Sequence, residues 1–101
     1  MVNTILMKTR RAISDKSYDM VPTEKNKNSR KKYGLTILEI EDLLFSLTPN
    51  DLVRGPVKDR DYPNDDLFIF KKEIVPGVNF YIKLKEKDDQ IKILSFHEDE
   101  H

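Results

Sequence analysis

Tyr81, Lys83 and Lys85 recur at every second position in the segment FYIKLK, and Ser95 and His97 do the same in ILSFH. Side chains two apart on a β-strand stand on one face. If both segments are strands, Ile82, Leu84 and Phe96 take the apolar side, and the tyrosine, lysines, serine and histidine take the other. Were the two strands neighbours, a tyrosine, one or two lysines and a histidine would converge near Arg54, at the end of an earlier short strand. Cutting RNA without a metal requires a base for the 2′-hydroxyl, an acid for the leaving 5′-oxygen, and cations to stabilise the phosphorane charge. Lysine and arginine supply the charge, and arginine can clamp phosphate oxygens in bidentate fashion. Histidine, or a perturbed tyrosine or lysine, can move the protons. These residues suffice for phosphodiester transesterification without being specific to it. An ordinary solvated sheet face reads the same way, and lysines on an exposed strand also discourage edge pairing.

Other chemistries find little support. The three glycines stand alone at 34, 55 and 77, so no glycine-rich phosphate loop is encoded, and neither an HExxH motif nor any cysteine is present. His97, Asp99 and His101 could chelate a metal, but a frayed tail, HEDEH at residues 97–101, is the simpler expectation. No metal and no cofactor are expected. The apolar patch near the start, Ile5 to Met7, is too short for a secretory signal, and no stretch approaches a membrane span. A soluble, cytoplasmic protein with no membrane partner is the corresponding expectation.

Elements must position these residues within 101 positions, the length of one small domain. Residues 1–16 read as an N-terminal helix or arm, with Ile5, Leu6, Ala12 and Ile13 toward one side. Tyr18 to Val21 alternates toward Pro22 and suits a short edge strand. Lys25 to Tyr33 is polar and helix-tolerant, with Gly34 placed as a left-handed C-cap. Thr36-Ile37-Leu38-Glu39 has the capping-box pattern and predicts a helix over about 37–47. Its apolar stripe is Ile37, Ile40, Leu43, Leu44 and Leu47, leaving Glu39, Glu41 and Asp42 outside. Leu52–Arg54 is a short strand before the turn Gly55-Pro56, and Asp59 to Asp66 is a polar loop. Strands follow at about 67–73, 79–86 and 90–97, the first two joined at Pro76-Gly77, and residues 98–101 form a frayed tail. The expectation is an α+β domain, a helical layer on an antiparallel sheet.

Charge is balanced overall but not along the chain. Residues 1–35 hold nine lysines and arginines against three acids, a surplus of six, and the remainder carries the opposite surplus. Basic clustering is a generic footprint for nucleic acid, and also a common property of solvated helices.

Three stretches taken together, Leu47-Thr48-Pro49-Asn50-Asp51-Leu52-Val53-Arg54, Phe80-Tyr81-Ile82-Lys83-Leu84 and Ile93-Leu94-Ser95-Phe96-His97, resemble toxins of the MqsR (motility quorum-sensing regulator) family. Counting Tyr18-Asp19-Met20-Val21-Pro22 and the start of the helix at Gly34-Leu35-Thr36, the resemblance to a divergent branch spans roughly residues 17–98. It implies a RelE-like ribonuclease fold and the toxin role in a bacterial type II toxin–antitoxin system. It also implies a metal-independent endoribonuclease that cuts mRNA, free or on the ribosome, and is inhibited by a cognate antitoxin protein. The family's basic residue falls on Arg54, its strand tyrosine on Tyr81, and its lysine after Ser-Phe on His97. Its glutamine has no counterpart, since the matching strand reads Phe70-Lys71-Lys72. On this reading Arg54, Tyr81 and His97 are catalytic, and Lys83, Lys71 and Lys85 bind RNA phosphates. The alternative is a non-catalytic RNA- or protein-binding module on the same fold.

Overall fold

The computed structural model describes residues 1–99. Three helices, α1 (Val2–Asp15), α2 (Glu24–Lys32) and α3 (Ile37–Phe45), pack on a five-stranded sheet. The strands are β1 (Asp19–Met20), β2 (Leu52–Lys58), β3 (Asp66–Val75), β4 (Val78–Lys87) and β5 (Gln90–Glu98), and their spatial order is β1-β5-β4-β3-β2. The fold is α+β, but the sheet is mixed. β2 to β5 form an antiparallel meander, whereas β1 lies parallel to β5, pairing Asp19 with Lys92 and Met20 with Ile93. A purely antiparallel sheet is therefore corrected at its last edge. α2, α3 and strands β2 to β4 all lie between β1 and β5 in the chain, and a long connection of this kind is what allows parallel pairing.

Helix α3 begins where the capping box places it. The Thr36 side chain accepts from the Glu39 amide at 3.1 Å, and the Glu39 carboxylate accepts from the Thr36 amide at 3.0 Å. Each bond satisfies a donor that the first turn otherwise leaves orphaned. The helix stops at Phe45, two residues short of the expected end, and Leu47 is nonetheless fully buried. Gly34 caps the preceding turn at φ +60, a left-handed conformation that glycine adopts without penalty.

One face of the sheet carries Phe68, Phe70, Phe80, Ile82, Leu84, Ile93 and Phe96 into the core. Ile5, Leu6, Ala12 and Ile13 of α1 meet them from above, with Ile40 and Leu44 of α3. Burying a side chain of this size contributes about 1.5–3 kcal/mol. Phe80 lies edge-on to Phe96, with ring centroids 5.1 Å apart.

Glu41 does not lie outside the apolar stripe as the helix pattern suggests. It is buried, ion-paired with Lys16 and accepts a hydrogen bond from the Tyr18 hydroxyl at 2.6 Å. Those two hydrogen bonds hold its carboxyl below the usual range. Burial first, then the Glu41 hydrogen bond and charge, push the Tyr18 phenol up to about 12.

Helix α2 closes the sheet edge beyond β1. The Asn26 amide nitrogen donates to the carbonyls of Val21 (2.8 Å) and Leu94 (3.2 Å), and its oxygen accepts from the Phe96 amide at 2.8 Å. Ser29 accepts from the Glu98 amide at 2.9 Å. Two helix side chains thus replace a strand partner for β5, which satisfies backbone groups that would otherwise be buried unpaired.

Strand β2 runs to Lys58, well past the turn expected at Gly55-Pro56, because the irregularity there is absorbed as a bulge. Gly55 has φ +138, and a Cβ at this position would sit 2.8 Å from the Leu67 carbonyl oxygen. Only glycine fits. The C-terminal tail is ordered further than expected: Glu98 ends β5 and the Asp99 amide donates to the Asn79 carbonyl at 2.8 Å. Residues 100 and 101, including His101, lie outside the described residues.

Candidate functional site

The outer face of the sheet is the one turned away from α1 and α3. Its residues are set by cross-strand register. Lys71, Tyr81 and His97 are direct partners across β3, β4 and β5, and Ile69, Lys83 and Ser95 form the next row. A direct pair shares a face with Cβ atoms about 4.5–5.5 Å apart, so the alternation read from the sequence does bring Tyr81, Lys83, Ser95 and His97 together. The rings of Tyr81 and His97 stack with centroids 5.5 Å apart and planes 17° from parallel. The Lys83 ammonium stands 5.9 Å from the centre of the Tyr81 ring.

These four residues line a cleft of about 550 Å³ whose other wall is the start of α2. Thr23 and Lys25 contribute to that wall, which the sequence did not mark as part of a site. The available signal was local: Thr23 is an N-cap residue, accepting from the Asn26 amide at 3.2 Å. The positive end of a helix favours anions, and Lys25 and Lys83 add full charges on either side. Glu24, Glu98 and Asp99 at the rim temper that field.

His97 Nδ1 lies 3.0 Å from the carbonyl oxygen of Glu98. A carbonyl can only accept, so this hydrogen bond needs the proton on Nδ1. In the neutral ring, Nε2 is then the basic nitrogen. The arrangement can take a proton at Nε2, offer a phenol beside it and hold an anion between Lys83 and Lys25.

The remaining expected residues stand differently. Lys71 is in the Tyr81 row, but its ammonium is ion-paired with Asp99 at 2.8 Å. Arg54 is exposed and registers against Ile69, on the far side of β3. At about 4.8 Å per strand its Cα is about 10 Å from that of Lys83, and it does not line the cleft. A site converging on Arg54 is corrected accordingly.

Lys85 requires the largest correction. It shares the strand face of Tyr81 and Lys83, yet its side chain is only 5% exposed, with Asp59 and Asp65 each 2.9 Å from the ammonium. Lys87 reaches the same Asp65 oxygen at 3.4 Å, and the Tyr62 ring lies 4.5 Å from the Lys85 nitrogen. Lys85 therefore fastens the loop of residues 59–65 onto the outer face and is not open to RNA. Burial lowers the affinity of its amine for a proton, but the hydrogen bonds to Asp65 and Asp59 outweigh that and raise it above the lysine range. Both aspartates are held below their ordinary values, chiefly by the Lys85 hydrogen bond. Strand periodicity could not reveal this, because the covering carboxylates lie 20 and 26 residues away in sequence.

Among the described residues no group of three or more acidic or histidine side chains is placed to hold a metal ion. No helix of the described residues is long and apolar enough to cross a membrane. No model of a known protein family matches the chain, and no curated protein sequence matches it.

Proposed function

We propose that this chain is the toxin of a bacterial type II toxin–antitoxin pair: a metal-independent endoribonuclease of MqsR type, with a RelE-like fold, that cuts mRNA. The observation that carries the reading is the stacked Tyr81–His97 pair with Lys83 in one cleft. Tyr81 occupies the position at which the family resemblance calls for a tyrosine, and His97 the position at which it calls for a lysine. In this mechanism His97 Nε2 takes the proton of a 2′-hydroxyl, and the 2′-oxygen attacks the adjacent phosphorus. The bond to the 5′-oxygen breaks, leaving a 2′,3′-cyclic phosphate and a 5′-hydroxyl. The leaving oxygen takes its proton from the Tyr81 phenol or from the imidazolium. Lys83 stabilises the phosphorane charge, and Arg54 meets the RNA backbone further along the outer face. Lys71 joins it there when its pair with Asp99 opens. A cognate antitoxin that covers the cleft is the expected protein partner, and mRNA on the ribosome is one form of the substrate.

Induction of the chain alone in a bacterium tests this. Growth arrest with fragmented mRNA is expected from the parent, and neither from His97→Ala. Intact RNA and normal growth with the folded parent at high level would refute the reading.

A further inference from the structure

Helix α2 reads EKNKNSRKK, and it presents two chemically opposite sides. Asn26 and Ser29 are buried against β5, which turns Lys27, Arg30 and Lys31 outward. Lys32 is taken by Glu98, its ammonium 2.8 Å from the carboxylate. Lys25, Lys27, Arg30 and Lys31 form no ion pair among the described residues, although the chain holds equal numbers of acids and bases. A helix with four of its five cations uncompensated, in a protein that pairs seven lysines elsewhere, presents unused positive potential.

That potential has a shape to act in. Lys27, Arg30 and Lys31 line a groove of about 450 Å³ together with Gly34 and Leu35. Glu24 lines both this groove and the cleft at Tyr81 and His97. The two depressions thus meet at Glu24 in the first turn of α2, and Lys25 lines the cleft.

We propose that the α2 groove is a second binding site, taking the phosphates of single-stranded RNA that flank the segment in the cleft. The inference rests on the ribonuclease reading for its ligand, and on the uncompensated cations and the Glu24 lining shared with the cleft for its place. The groove adds affinity and selects for length, because a strand too short to pass Glu24 cannot use Lys27, Arg30 and Lys31. Each phosphate contact on a single strand contributes about 0.7 to the slope of log affinity against log salt. Three contacts amount to a slope of about 2.

The test uses 2′-O-methylated oligonucleotides, which lack the attacking hydroxyl, so binding is measured apart from cleavage. Fluorescence anisotropy compares a tetranucleotide with a dodecanucleotide on the parent and on the triple variant Lys27→Gln, Arg30→Gln, Lys31→Gln. Glutamine has nearly the helix propensity of lysine and arginine, and Asn26, Ser29 and Thr23 still anchor α2. Circular dichroism checks the fold. The dodecanucleotide should bind the parent more tightly than the tetranucleotide. The triple variant should lose about tenfold on the longer strand, with its salt slope smaller by about 2. Lys27→Arg with Lys31→Arg should retain parental affinity. Equal losses on both lengths, or an unchanged dodecanucleotide affinity and salt slope, would overturn the proposal. So would polyglutamate competing as well as RNA at equal charge, which would mark the groove as a surface for acidic protein. A parent that binds the long strand but cuts no unmodified RNA removes the nuclease reading and leaves the groove standing. A parent that binds neither strand at low salt removes both.

Discussion

The rings of Tyr81 and His97 are stacked 5.5 Å apart across β4 and β5, at positions paired directly in the sheet. Adjacent strands hold the pair, so on the proposed ribonuclease mechanism neither side chain has to be recruited. Loss of a general acid or base costs about 100- to 10,000-fold in rate. His97→Ala and Tyr81→Phe should each lower RNA cleavage by at least about 100-fold, in EDTA as in its absence, with circular dichroism unchanged. Full activity in both variants, or dependence of the parent on a divalent metal, would remove the assignment.

Asn26 makes three hydrogen bonds to the backbone around β5. Alanine at this position leaves the Phe96 amide and the Leu94 carbonyl without these partners. An unsatisfied buried group costs about 1–3 kcal/mol, and each kcal/mol lowers the melting temperature of a domain this size by about 4–8 °C. Asn26→Ala should melt earlier by at least that amount, and faster hydrogen exchange should appear first at the Phe96 amide. An unchanged melting curve would show that the sheet edge does not need α2.

Lys85 draws Asp59 and Asp65 together, and both acids are held below the ordinary aspartate value of 3.8. Folded pKa values below the unfolded ones mean stability that is present above that value and lost as pH falls through the folded values. Lys85→Met should release the loop of residues 59–65, seen as faster exchange of the Asp61 and Asp65 amides. It should also flatten the acid limb of the stability profile. Retained protection in the variant would show that the loop is held by other contacts.

Tyr18 carries the opposite sign. Its phenol is raised from 10.0 to about 12 by burial and by Glu41, so the folded state favours the protonated form. That contribution is complete below pH 10 and is lost as pH rises toward 12. Tyrosinate absorbance should show Tyr18 titrating late, and Tyr18→Phe should remove that phase together with the matching alkaline loss of stability. Tyr33, raised chiefly by its hydrogen bond to Glu98, should continue to titrate late in the variant. A variant with the parental alkaline profile would contradict the Glu41 contact.

Local rules were enough for the sequence to determine much of the frame. The Thr36–Glu39 box, the cap at Gly34 and the alternation of Phe80 to Lys85 depend on neighbours within four residues, and each is present in the structure. Alternation also placed Tyr81, Lys83, Ser95 and His97 on one face, because the side-chain period of a strand is fixed at two. Tertiary structure alone decided what covers that face. Asp59 and Asp65 remove Lys85 from it, Asp99 occupies Lys71, and the strand order sets Arg54 at a distance from the cleft. It also decided that β1 runs parallel to β5 and that Asn26 and Ser29 continue the sheet edge. These ion pairs and edge contacts join residues 20 to 73 positions apart. No local period or propensity encodes such pairings, because they are set by which buried groups would otherwise lack a partner.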